Sequence, residues 1–211
     1  MPARRADTKA PGKWYNSGLM NEKDVLKTFQ KEKAYLNGHF LLSSGLHSPN
    51  YMQCALPFQK PRTAEKLCKA LAKKLKGHKI DAVIGPALGG ILVAYELARA
   101  LKVRAVFAER VDGSFTLRRG FSLKKNERLL VVEDVITTGK SIYEVIALVE
   151  HHGAKVEAVA SVVDRSDGAA VFAQDFYSLL KIHIRSYRPE DCPICREKKV
   201  PLVKPGSRVL P

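Results

Sequence analysis

Long apolar runs are missing from this sequence. No stretch approaches the ~18 residues that a membrane-crossing helix needs, so no such helix is expected. The opening MPARRADTKAPGKWYN is basic but has no apolar core, which excludes a secretory signal; residues 1–20 are expected to form a flexible leader. Cysteines are few: Cys54, Cys68, Cys192 and Cys195 do not make a disulfide framework, so a reducing cytoplasm is the expected setting. The Cys192-Pro-Ile-Cys195 pair stands alone, and a zinc site needs four ligands. His183 is the one other candidate nearby in the chain, so no metal site is expected, only a turn with two reduced thiols. Acidic residues are also scarce. There are 21 against 36 Lys and Arg, for a net charge of +15. Such a balance invites nucleic acid. Yet no zinc finger, aromatic RNP motif or KH loop is visible, so a nucleic-acid partner is not expected.

What is present suits one α/β domain. The chain has 211 residues, 45 % of them hydrophobic, enough for a sizeable core. There is no internal repeat or low-complexity tract. Val25, Leu26, Phe29 and Leu36 form an apolar stripe that predicts a helix over 21–36, stopped by Asn37-Gly38. HFLLSSGLHSPNYMQ, residues 39–53, reads as two short strands around a Ser-Gly turn. A lysine-rich helix starts at Pro61 and ends at Gly77; Leu67, Ala70, Leu71 and Leu75 mark its inner face and the lysines its solvated face. Then strands (81–84, 103–108, 128–133, 156–164) alternate with helices (91–101, 141–152), which predicts a parallel sheet covered on both faces. Residues 112–122 read as a polar loop, and the Pro- and charge-rich tail, 188–211, is expected to wrap the surface.

In such sheets ligands bind at the carboxyl ends of the strands. Four unusual segments fall there: GPALGG (85–90), the basic stretch 109–120, VVEDVITTGKS (131–141) and Asp164-Arg165-Ser166-Asp167. VVEDVITTGKS ends like a nucleoside-triphosphate P-loop, but Asp134 stands where that loop needs its first glycine. The turn Thr137-Thr138-Gly139-Lys140-Ser141 offers backbone amides and hydroxyls to a phosphate, while Glu133 and Asp134 suit the hydroxyls of a ribose. The pattern is shaped for a ribose 5-phosphate; the bland reading is an acidic strand end and an ordinary helix cap. Taken alone, GPALGG is equally a simple strand-to-helix turn, and Arg165 equally a surface partner of Asp164 or Asp167.

VVEDVITTGKS resembles the phosphoribosyl-diphosphate (PRPP) signature of type I phosphoribosyltransferases. HFLLSSGLHSPNYMQ is similar to the N-terminal hood of the orotate phosphoribosyltransferase family, and SVVDRSDG to its Asp-Arg stretch. The resemblance covers residues 21–187, with the hood mainly at 21–60 and an extension at 188–211. It implies the type I fold: a central parallel sheet flanked by helices, with a small N-terminal hood. It implies the reaction of orotate with PRPP and Mg²⁺ to give orotidine 5′-monophosphate and pyrophosphate, in a homodimer. Glu133 and Asp134 would hold the ribose diol, with Asp134 also counted among the catalytic residues. Val135, Ile136, Thr137, Thr138, Gly139, Lys140 and Ser141 would carry the rest of the PRPP site. Ala87, Leu88, Gly89 and Gly90 would offer amides to pyrophosphate. Thr137, Arg165, Tyr51 and Met52 would surround orotate, Arg165 pairing with its carboxylate. Arg110 would stabilise the leaving group from a mobile loop.

This chain departs from the family pattern in places. Members carry lysine where it has Gly89 and Ser43, and their mobile loop is rich in Lys and His where this one has Arg110, Arg118 and Arg119. A purine- or uracil-specific relative is the nearest alternative. A PRPP-responsive regulator would keep 133–141 but needs a DNA-binding domain, and none is visible.

Overall fold

The computed structural model describes residues 20–42 and 44–205. The expected leader therefore lies almost wholly outside the described residues, as does Ser43. The chain order is α1 (Glu22–Lys31), β1 (Tyr35–Leu41), β2 (His47–Met52), α2 (Pro61–Lys74), β3 (Ala82–Pro86), α3 (Gly89–Leu101), β4 (Arg104–Val111), β5 (Ser114–Leu117), β6 (Arg128–Ile136), α4 (Lys140–His151), β7 (Lys155–Asp164), β8 (Phe176–Lys181) and α5 (Pro193–Glu197).

The main sheet runs β5-β4-β3-β6-β7-β8. All neighbours are parallel except β4 and β5 at one edge. Each strand alternates its side chains between the two faces. In β6, Leu130 and Val132 join a core with α1, α2 and α3. Leu129 and Val131 face the other way, onto Ile142, Val145 and Val149 of α4. Three helices thus cover one face and α4 the other, as the alternation of elements predicts.

Three elements differ from the sequence reading. The first helix stops at Lys31, not near Leu36. Lys33 takes a left-handed φ of 55°, and the amides of Lys33 and Ala34 close onto Gln30 and Phe29. Tyr35 and Leu36 then pair with Met52 and Tyr51 as strand. Second, the polar stretch 112–122 begins as a hairpin: Asp112 and Gly113 both have positive φ, 48° and 86°, the two-residue turn that suits strand twist. Third, β8 was not anticipated; it forms the other edge of the sheet.

The tail lies on the hood. Tyr187 bridges His47 and Val203 bridges Phe40. This brings Cys192 and Cys195 beside His39 and His47, not beside His183, which pairs with Asp167 at 3.1 Å. The expectation of an isolated thiol turn is corrected: four side chains meet there.

Candidate active site

The chain leaves β3 for β4 on one side and later returns to β6 on the other. The loops after β3 and β6 therefore open away from each other's helices, and a crevice forms at the carboxyl ends of these two strands. GPALGG and EDVITTGKS line it.

The loop after β6 leads directly into α4. Gly139 sits at the helix N-cap with φ 76°, a conformation that costs a glycine little. A β-carbon there would also lie 3.0 Å from Tyr143, 3.2 Å from Phe172 and 3.3 Å from Ala170. No side chain caps α4 and its first turn holds no acid, in contrast to α1, where Asn21 and Asp24 form a capping box. The Lys140 amide donates to Thr138 Oγ1 at 3.4 Å and the Tyr143 amide to the Gly139 carbonyl, which leaves the Ser141 and Ile142 amides for an anion. Thr137 and Thr138 are exposed beside them, and Ser141 is half-buried.

Glu133 and Asp134 lie inside the end of β6, one residue apart, so the pleat turns them to opposite faces. The expected joint grip on one diol becomes two separate carboxylate positions. Asp134 is buried and accepts a hydrogen bond from the Val135 amide at 2.8 Å. A β-carbon on Gly89 would stand 2.7 Å from Asp134 Oδ1 and 2.9 Å from Oδ2. Glycine at position 89 is thus what lets the β3 loop close on this carboxylate; any side chain there would require the Asp134 carboxyl to shift. The Ala87–Leu88 peptide in the same loop is cis.

Neither acid has an ion-pair partner among the described residues. Burial, and next the charge of Asp134, push the Glu133 carboxyl up to about 8. Burial also raises Asp134, against the opposing Val135 amide. Glu133 is therefore mostly protonated in the free protein at neutral pH. Its folded pKa exceeds the unfolded 4.5, so the stability tied to its proton is full below the lower value and lost as pH rises through the upper one. Glu133→Gln should raise Tm relative to the parent near pH 9 and change it little near pH 4. Thermal unfolding at both pH values checks this; equal shifts would mean the carboxyl is not held neutral.

On the other side of the crevice, Ile136 pairs with Asp164, and the Arg165 amide donates to the Ile136 carbonyl at 2.8 Å. This sets Thr137 and Arg165 side by side. Asp164 is occupied by the Ser166 amide and hydroxyl, at 2.9 and 2.7 Å. Asp167 is taken by His183. The bland reading of Arg165 as their surface partner fails: no ion pair or hydrogen bond engages its guanidinium among the described residues. Its charge is felt by Tyr51 and Cys54, and Cys54 also feels Asp134, so hood and sheet converge here. Tyr51 is half-buried at this junction. Met52, its neighbour on β2, points the other way into the core and is withdrawn from the expected base-contacting set. Cys54 was missed by sequence reasoning, since a lone thiol after a strand carries no signal.

Arg110 needs a second correction. It is the second-last residue of β4, in the hairpin with β5, not a free loop cation: it pairs with Glu144 of α4, donates to the Gly113 carbonyl and lies over Phe115 with 4.1 Å to the ring centre. Arg119 pairs with Glu109 at 2.8 Å. Arg118, exposed at the end of the hairpin, makes no ion pair among the described residues.

Comparison with known proteins agrees with this geometry. The phosphoribosyl transferase domain family matches residues 58–193. An orotate phosphoribosyltransferase of Carboxydothermus hydrogenoformans is 57 % identical over 187 residues, 88 % of this chain and 97 % of that protein. The chain belongs to the orotate phosphoribosyltransferase family. A second member, from Caldanaerobacter subterraneus subsp. tengcongensis, is 54 % identical over 90 % of this chain and all of that protein. Among solved structures, orotate phosphoribosyltransferase of Mycobacterium tuberculosis H37Rv superposes with a TM-score of 0.64 over 75 % of this chain and 95 % of its own, at 23 % identity, a likeness of fold. Among orotate phosphoribosyltransferases, then, this chain is one whose β3 loop carries Gly89 against Asp134.

Proposed function

We propose that this chain transfers the phosphoribosyl group of PRPP to orotate, giving orotidine 5′-monophosphate and pyrophosphate in pyrimidine nucleotide synthesis. The observation that carries the orotate assignment is Arg165: a guanidinium unpaired among the described residues, next to Thr137 and within reach of Tyr51, in a crevice otherwise lined by carboxylates and amides. A base with its own carboxylate is the ligand that such a group fits.

In the reaction the C1–O bond to pyrophosphate breaks with its electron pair leaving on oxygen, and a ring nitrogen of the base bonds to C1. The α4 amides and the hydroxyls of Thr137, Thr138 and Ser141 hold the 5-phosphate. Glu133 accepts hydrogen bonds from ribose hydroxyls. Amides of the 87–90 loop receive the pyrophosphate above Asp134. Buried Asp134 and half-buried Glu133 lack a cationic partner among the described residues, which suits a site for Mg²⁺ arriving with PRPP. Bound there, Mg²⁺ would neutralise charge on the leaving pyrophosphate. Arg118, in no ion pair among the described residues, supplies a cation from the end of the hairpin.

The test is pyrophosphate release from PRPP and Mg²⁺ with orotate, uracil, adenine, hypoxanthine and guanine offered separately. Release with orotate alone is the expected result. Release with a neutral base instead would keep the fold and overturn the substrate.

We also assign a homodimer. Leu88, Leu92 and Tyr95, at i, i+4 and i+7 along α3, are 83 %, 51 % and 66 % exposed, an apolar face that a partner copy would cover. Sedimentation should give twice the chain mass, and Tyr95→Glu should shift it toward the monomer; a monomeric parent would remove this assignment. The four thiols are free, in keeping with a cytoplasmic setting, and no helix among the described residues is long and apolar enough to cross a membrane.

A further inference from the structure

We propose that His39, His47, Cys192 and Cys195 form a structural zinc site that clamps the C-terminal extension onto the hood. The four ligand atoms lie within 4.8 Å of one another. His39 Nε2 is 3.1 Å from His47 Nδ1, 3.4 Å from Cys192 Sγ and 3.6 Å from Cys195 Sγ; His47 Nδ1 is 3.2 Å from Cys195 Sγ. A tetrahedral ion with ordinary Zn–N and Zn–S bonds sets its ligands about 3.3 Å apart for N to N and about 3.6 Å for N to S. These four of the six edges match that polyhedron within about 0.4 Å.

Ordinary hydrogen bonding does not account for the cluster as well. The Val200 carbonyl, 3.2 Å from His39 Nδ1, can only accept, so it fixes the proton on Nδ1 and leaves one lone pair on Nε2. Three neighbours crowd that single lone pair. One divalent cation would satisfy all four groups together. The Val200 contact is also the outer support that metal-bound imidazoles typically have.

The chemistry of the set selects the ion. Two imidazoles and two thiolates in a tetrahedron suit zinc, and two thiolates make the centre electroneutral, which matters because His39, His47 and Cys192 are buried. All four positions are filled by protein, so no place is left for water or substrate; the role is structural. His39 and His47 sit on β1 and β2, the hairpin that also carries Tyr51, while the cysteines sit on the extension. The metal would add to the backbone bridges at His47–Tyr187 and Phe40–Val203 and to the His39–Val200 hydrogen bond in holding the two segments together.

The test uses the full chain purified under reducing conditions without a histidine tag. Metal analysis should find about one zinc per chain. Stripping it with a chelator should lower Tm by about 5 °C or more, and adding Zn²⁺ should restore it. Co²⁺ added to the stripped protein should give the intense visible bands of a tetrahedral site and a near-ultraviolet thiolate transition. Cys195→Ser should lose most of the zinc, and should do so while keeping a cooperative unfolding transition. The stripped parent provides the same comparison without a substitution. Failure of the chain to hold zinc both as purified and after titration would overturn the proposal. So would a Cys192–Cys195 disulfide in the reduced preparation, iron in place of zinc, or zinc retained undiminished in a Cys192→Ser/Cys195→Ser variant. None of these readouts depends on the reaction catalysed.

Discussion

Arg165→Ala should lower kcat/KM for orotate by roughly 10²–10³, the equivalent of about 3–4 kcal/mol for a charge-assisted pair lost from a partly desolvated site. The loss should appear mainly against orotate, with KM for PRPP little changed, because the PRPP groups come from β6 and α4. Tm should not move, since the guanidinium makes no ion pair among the described residues. Arg165→Lys should recover only part of the activity: an ammonium supplies the charge but not the planar fork that meets a carboxylate with two parallel bonds. Steady-state kinetics on the three proteins decides it. Orotate use within threefold of the parent in Arg165→Ala would mean that the carboxylate is read elsewhere.

Gly89→Ala should be nearly as costly for a different reason. One added methyl group would stand 2.7 Å from Asp134 Oδ1, closer than packed atoms tolerate. Either the carboxylate swings away or the 87–90 loop lifts. Displacements of about 1 Å at a reacting centre commonly cost around 10²-fold in rate, and a fall of that order in kcat/KM is expected. The cause can be isolated by a double-mutant cycle. In an Asp134→Ala background the obstacle is gone, so Gly89→Ala should add little further loss. Additive losses in the cycle would place the problem in the loop backbone and not in the carboxylate.

Much of the site was readable because its parts are contiguous in the chain. VVEDVITTGKS becomes a strand end, a turn and a helix start in one unbroken run, and strand–helix alternation puts that run at the correct end of the sheet. Features set by pairing across the chain were not readable in the same way. Met52 sits next to Tyr51 in the chain, yet strand alternation sends its apolar side chain to the core. Arg110 looked like a loop cation because Asp112-Gly113 was not weighed as a hairpin turn; its partner Glu144 lies 34 residues away on α4. The Cys192–Cys195 pair was matched against histidines near it in sequence, whereas its neighbours in space stand more than 140 residues earlier. Spacing rules find metal sites whose ligands come from one local unit, and these ligands come from two ends of the fold.

The bridge between Phe40 and Val203 has a consequence for the order in which the molecule is assembled. During synthesis, the sheet can pack its strands and helices as they emerge, since most of its contacts join neighbouring segments. The hood cannot be finished in that way. Its hairpin must wait, uncovered, until residues 187–203 leave the ribosome and close a loop of some 160 residues. The hood that would cover the base is then the final part to become native, so an unfinished chain has a sheet but no closed pocket in which to bind.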